Sequence, residues 1–275
     1  MASTDHIDHK LEKGDDSSNG SPLSRQVTVT MSTDQYERLF FQPGKPVKGD
    51  YAKRFANPTL LGLISFLIPY TSTIFILLGW GGAIPPSSLV GLSGDYYFLG
   101  SIGMVLAGLA EFVLGNTYPF AVFIIFGAHW GSLAYTQDPI HRTTSAFEAE
   151  GGAEGAAYNS SQAFHNVTMA IVSFILLVGS LRINIPFVLT FVGLVFLFAF
   201  IAAADFAVPN ATTAADVAHI EYLLQIGGGF GMLGVICGWY LALLTVMEAV
   251  GIPSFLPVFD LSSKVFANKD AAKQA

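Results

Sequence analysis

After Asn57 the chain changes from a mixed polar sequence to long apolar runs, broken by short clusters of Gly, Pro, Asn and Thr. A helix crosses the hydrocarbon core of a bilayer with about 20 predominantly apolar residues. Six segments meet that requirement: Leu60–Trp80, Tyr96–Leu114, Tyr118–Tyr135, Ala163–Leu181, Ile185–Phe206 and Tyr222–Val246. Backbone N–H and C=O groups find no water in lipid, so each span is predicted as a helix. A transmembrane β-barrel would show many short alternating strands instead. The expected fold class is an all-α membrane protein with six transmembrane helices.

The breaks set the topology. "GNT" joins spans two and three, and "RIN" joins spans four and five, so both pairs form tight antiparallel hairpins on one side of the membrane. The long connection "TQDPIHRTTSAFEAEGGAEGAAYNSSQ" lies on the other side. Lys45, Lys48, Lys53 and Arg54 precede span one, Arg182 sits in a hairpin, and Lys264, Lys269 and Lys273 follow span six. With six spans these all share one side, and the opposite loops hold Arg142 alone. Basic residues concentrate in cytoplasmic loops, so both termini are predicted to be cytoplasmic. The sequons at Asn159, Asn166 and Asn210 then face outside, close to the membrane, where glycosylation becomes possible. No convincing internal repeat is visible.

Composition agrees. The chain of 275 residues is 52% hydrophobic and 12% charged, against about 25% charged in a soluble domain. Its mean hydropathy is +0.53. Residues 1–54 are too polar to offset the entropy of ordering and are expected to form a disordered cytoplasmic tail. They lack the apolar stretch of a cleaved signal peptide. Residues 55–258 form the transmembrane domain, and 259–275 a cytoplasmic C-terminal tail. The net charge of −7 comes mostly from tails and loops. No basic surface suggests a nucleic-acid partner. The single cysteine, Cys237, lies in an apolar run, so no intramolecular disulfide is expected and it reads as a small core residue.

Few residues in the spans carry chemistry. Glu111 stands in "GLAEFVLGNTYPF", about one turn from the cytoplasmic end of span two, where a carboxylate can reach water. It reads either as an interfacial strut or as a carboxylate that relays a proton, and Glu248 reads as interfacial. None of the six histidines has metal-ligand spacing; His129 reads first as structural or interfacial, and second as proton-handling. Gly229, Gly231 and Gly234 spell a GxGxxG inside span six with no preceding strand, so it is not a dinucleotide site. Gly227 with Gly231, and Gly234 with Gly238, instead place small residues four apart for close helix packing. Asn57 is a good N-cap and Pro58 suits a first helical position. Pro69 should loosen span one, and the hydroxyls of Tyr70, Thr71, Ser72 and Thr73 either line a polar path or bond within the bundle. Without paired acids, a nucleophile–base set or a metal cluster, no enzyme, cofactor or metal is expected.

"NPTLLGL" and "GLAEFVLGNTYPFAVFIIFGAHW" together resemble the acetate uptake transporter family, also called GPR1/FUN34/YaaH. The resemblance spans roughly residues 55–260, and the long polar tail looks like the fungal branch. It implies a plasma-membrane channel or proton symporter for acetate and other short-chain monocarboxylates, assembled as a homohexamer in the lipid bilayer with a pore in each subunit. By position in the family motifs, the narrowest point falls on Phe66, Phe126 and Leu194. The motif and vestibule residues implied are Asn57, Pro58, Gly62, Leu63, Glu111, Gly115, Asn116 and Thr117. Leu60 stands where the family has a second proline. Phe126 stands where bacterial relatives carry tyrosine, so this constriction would be wholly apolar and would favour a neutral acid or a briefly dehydrated anion. The near-absence of charge in the spans argues against large polar solutes and strongly charged ion paths. It fits a small weak acid and fits ammonia equally well. An ammonia or ammonium exporter and a membrane signalling protein acting through its tail remain the alternatives.

Overall fold

The computed structural model describes residues 55–252, 256–261 and 264–265. The expected N-terminal tail, with Lys45, Lys48, Lys53 and Arg54, lies outside the described residues, as do Lys269 and Lys273. Six helices of ten residues or more carry the described chain. They are α1 (Thr59–Leu77), α2 (Met104–Val113), α3 (Thr117–Gln137), α4 (Ala156–Ser180), α5 (Ile185–Ala207) and α6 (Ala214–Ala249). The described residues contain no strand beyond one isolated bridge, Asn184 with Asp260.

Five segments are long and apolar enough to cross a membrane: Thr59–Leu77, Ser87–Val113, Ala156–Ser180, Ile185–Asn210 and Ala214–Ala249. The sixth expected span, α3, has 21 residues and the length to cross, but Thr117, His129, Ser132 and Thr136 make it less apolar than the others. Span two is not a regular helix throughout. Tyr96–Gly103 is wound as a π-helix before the chain tightens into α2. Its wide turns carry two glycines at close contacts: Gly100 lies against the Trp130 side chain and Gly103 against Ser65.

Local signals explain the ends. Gly115 has φ +76° and closes α2 in a Schellman arrangement. Asn116 N–H donates to Glu111 O at 2.9 Å, and Gly115 N–H to Phe112 O at 3.0 Å. Asn116 then starts α3, its carbonyl accepting from Phe120 N–H. Asn57 Oδ1 accepts from Thr59 N–H at 2.9 Å, bridging Pro58, the residue that leads into α1. α4 begins at Ala156, not Ala163, because Asn159 fastens the preceding loop by donating to Ala153 O and Gly155 O. α6 begins at Ala214, not Tyr222, because Thr213 and Asp216 form a reciprocal capping box. At 36 residues α6 is about 54 Å long at ~1.5 Å per residue, so it outruns the hydrocarbon core.

α4 packs on α5, α5 on α6, α6 on α1, α1 on α2, and α2 on α3. Side chains close the circuit between α3 and the α4–α5 pair. Tyr118 donates to Leu176 O, His129 pairs with His165, and Phe126 packs on Phe191 and Phe198. The α1–α6 seam is made by the glycines of α6. A Cβ at Gly231 would collide with Ile74, at Gly234 with Tyr70, and at Gly238 with Leu67. α1 runs on through Pro69. All four following hydroxyls bond within the bundle: Tyr70 to Gly231 O, Thr73 to Pro69 O and Tyr96 Oη, Ser72 to Ile68 O, and Thr71 with the Trp239 indole N–H.

The C-terminal segment folds back on the α4–α5 hairpin. Ile185 N–H donates to Phe259 O at 3.1 Å and Leu261 N–H to Ile183 O at 3.0 Å.

Candidate functional site

Phe66 of α1, Phe126 of α3 and Leu194 of α5 line one cavity of about 30 Å³. All three are buried, and the Phe66 and Phe126 rings meet edge to face at 6.3 Å. Leu63, Met104, Val122, Phe123, Phe187, Thr190 and Phe191 complete the wall. Apart from the Thr190 hydroxyl, which is committed to Pro186 O at 2.9 Å, every lining side chain is apolar. Most of these extra residues were missed from sequence, yet helical spacing points to them. Phe187, Thr190, Phe191 and Leu194 stand at i, i+3, i+4 and i+7 of one face, and Phe123 precedes Phe126 by one turn. Gly62 lies against the Phe123 ring, where any Cβ would collide.

One turn before Leu63, the start of α1 meets the α2–α3 turn. Glu111 was expected to reach water; it is instead fully buried. Its position near a helix end does not expose it, because the α1 start and the α2–α3 turn fold over it. Both carboxylate oxygens are engaged. Thr59 Oγ1 donates to Oε1 at 2.5 Å, and Asn116 Nδ2 donates to Oε2 at 2.6 Å. Hydrogen bonds to an ionised group offset the cost of removing it from water. Asn57 is exposed beside this cluster, Pro58 is buried, and Gly115 and Thr117 flank Asn116 in the turn. Thr59, inside the "NPTLLGL" motif, was not singled out by sequence.

Beyond the cavity, toward the opposite end, several polar groups are paired across helices. His129 Nδ1 and His165 Nε2 lie 2.9 Å apart, with their rings stacked at 5.1 Å and 9°. His129 also meets Phe198 edge to face at 5.1 Å. Trp130 stacks on Tyr96 at 5.1 Å and stands 6.5 Å from Phe66. Asn166 Nδ2 donates to Asp205 Oδ2 at 2.9 Å. That bond, and the burial of Asn159, change the expectation for the sequons. Both amides are committed inside the fold, and Asn210 alone of the three is exposed. Glu248 is exposed at the end of α6, and Cys237 is partly buried.

Residues 40–263 match the GPR1/FUN34/yaaH family. Protein alcS of Aspergillus fumigatus is 31% identical over 258 residues, covering 92% of this chain and 93% of the relative. Acetate permease A of Emericella nidulans is 29% identical, covering 79% of this chain and 70% of the relative. Ammonia transport outward protein 3 of Saccharomyces cerevisiae is 27% identical, covering 77% and 73%. The solved structure of the bacterial acetate channel SatP shares the fold, with a TM-score of 0.56 at 20% identity, over 74% of this chain and 99% of that one. With five apolar helices able to span a bilayer and a family match over most of its length, this chain is a multi-pass helical membrane protein that belongs to the GPR1/FUN34/yaaH family.

Proposed function

We propose that this chain is a plasma-membrane transporter that passes acetate and other short-chain monocarboxylates, with a proton, through the Phe66–Phe126–Leu194 constriction. The observation that carries the reading is the convergence of these three residues, from three helices, on one apolar cavity. Relatives named as an acetate permease and an acetate transporter support the substrate class. An apolar wall imposes a steep desolvation cost on a charged carboxylate and a small one on the neutral acid. The solute therefore crosses most readily with its proton. In this reading α3 is the sixth span, both termini are cytoplasmic, and six copies assemble in the membrane. The Asn57 end of the bundle is then the inner vestibule, where Glu111, Thr59 and Asn116 fix the mouth.

The test is uptake of labelled acetate at acid pH in cells lacking their own carrier, with and without this protein, and with a protonophore in parallel. Saturable uptake that needs the protein and collapses with the protonophore is expected. No uptake from cells with the protein at the surface overturns the reading. Ammonia export is the second reading. It draws on the relative named for outward ammonia transport and on the same apolar wall, which suits a small neutral base. Protein-dependent ammonia release without acetate uptake would favour it.

A further inference from the structure

The His129–His165 contact joins α3 to α4, and three features around it point to a ligand. His129 is 9% exposed while His165 is partly exposed, so the pair connects a buried ring to a more open one. Trp130, the next residue, is 4% exposed, and its indole N–H has no acceptor. A buried donor without a partner is costly unless something occupies it. Phe126, on the cavity wall, lies one turn from His129, and Phe198 touches both.

We propose that His129 and His165 form a two-step proton relay that protonates a carboxylate before it enters the apolar cavity, with the Trp130 indole N–H holding the carboxylate. The inference rests on the reading of the chain as a short-monocarboxylate transporter and adds to it where the proton comes from.

The relay follows from the bonding of two imidazoles. In one arrangement His165 Nε2–H donates to His129 Nδ1, His129 Nε2 carries a proton, and His165 Nδ1 is bare. A proton from water on the open side adds to His165 Nδ1. The shared proton then shifts across the 2.9 Å contact to His129 Nδ1. His129 gives its Nε2 proton to a carboxylate oxygen: one N–H bond breaks, one O–H bond forms, and the pair ends neutral with its tautomers exchanged. Each ring then returns to its starting tautomer by giving its Nδ1 proton to water and taking one from water at Nε2, with no net change in protons. The neutral acid passes the cavity and releases its proton to water on the far side. The titratable groups on the packed elements are Asp205 of α5, held by Asn166; Tyr158 of α4; Tyr96, stacked on Trp130; and Tyr70 of α1, stacked on Phe66. Of these Asp205 alone brings a carboxyl, and Asn166, next to His165 in the chain, places it at this end of the bundle.

The test compares wild type with His129→Gln, His165→Gln and the double Gln variant, at matched surface level. Labelled acetate uptake and the accompanying proton movement are followed across external pH. The double variant keeps an amide-to-amide bond between α3 and α4 but cannot relay a proton. It is expected to move acetate at least about tenfold more slowly and to lose the acid-side rise in rate. Trp130→Phe is expected to raise the half-saturating acetate concentration about tenfold with the pH profile kept. A double variant with the wild-type rate and pH profile overturns the relay alone. A uniform loss that keeps the wild-type pH profile overturns it too, and makes the pair a strut. Wild-type protein that moves no acetate overturns both the relay and the transport reading.

Discussion

The Thr59 hydroxyl and Glu111 Oε1 meet at 2.5 Å across 52 positions of the chain. That bond ties the first turn of α1 to the last turn of α2, and the second carboxylate oxygen carries the tie on to Asn116 at the start of α3. Three helices are thus registered by one side chain. Glu111→Ala removes both acceptors and is expected to destabilise the protein by about 3 kcal/mol, seen as a lower melting temperature in detergent. Glu111→Gln can face its oxygen to Asn116 and its amide to the Thr59 hydroxyl, which accepts as well as donates. Its stability is expected to stay near wild type. Loss of uptake in this variant then assigns a role to the charge, and retained uptake leaves Glu111 as a strut.

Gly62→Ala sets a methyl group against the Phe123 ring, which lines the cavity. The ring must move, and uptake of every acid is expected to fall while the protein still reaches the surface. Adding Phe123→Leu should restore flux. If the single variant transports normally, the Phe123 ring clears the methyl without narrowing the cavity, and Gly62 is not what keeps the route open.

Leu194→Ala enlarges the constriction on the α5 side. The ratio of lactate to acetate uptake is expected to rise at least about tenfold, as the loss of a few methylene-sized contacts allows. An unchanged ratio removes Leu194 from the path.

Gly238→Val drives a side chain into Leu67 at the α1–α6 seam, and is expected to cost about 1–3 kcal/mol and to lower the surface level. Gly229 meets nothing within 4 Å, so Gly229→Ala is the matched control and should be neutral or slightly stabilising. Equal effects of the two would mean that the seam is not what holds these helices together.

Asn166→Gln and Asn159→Gln should leave the electrophoretic mobility of the expressed protein unchanged, since both amides bond inside the fold. Any shift on deglycosylation should disappear with Asn210→Gln.

The helical spans were legible in the sequence because lipid leaves the backbone no alternative to helix over long apolar runs. The turn "GNT" was legible as a tight hairpin, and the structure gives the reason: Gly115 takes the left-handed position and Asn116 serves both neighbouring helices. The ends of α4 and α6 were misplaced because Asn159 and the Thr213–Asp216 box extend helix into sequence that is polar. The π-helical start of span two has no apolar signature that separates it from α-helix. The burial of Glu111 was not legible, since it depends on Thr59 from another helix. His129 stood out alone, as structural or interfacial first and proton-handling second, but nothing in the sequence named its partner. Its meaning comes from His165, 36 residues away, and only packing brings the two together.

The glycine seam has a mechanical consequence. Because Gly231, Gly234 and Gly238 leave no slack between α6 and the side chains of Ile74, Tyr70 and Leu67, α1 is keyed to α6 like a tongue in a groove. Phe66 hangs from that keyed helix, with Tyr70 stacked above it at 4.6 Å. Tilting α1 would break every one of these contacts together, whereas turning a phenyl ring breaks few. An obstruction mounted in this way yields by the swing of its own side chain, on the picosecond-to-nanosecond scale of rotamer motion. The surrounding helices then act as a frame whose stiffness sets how wide that swing can be.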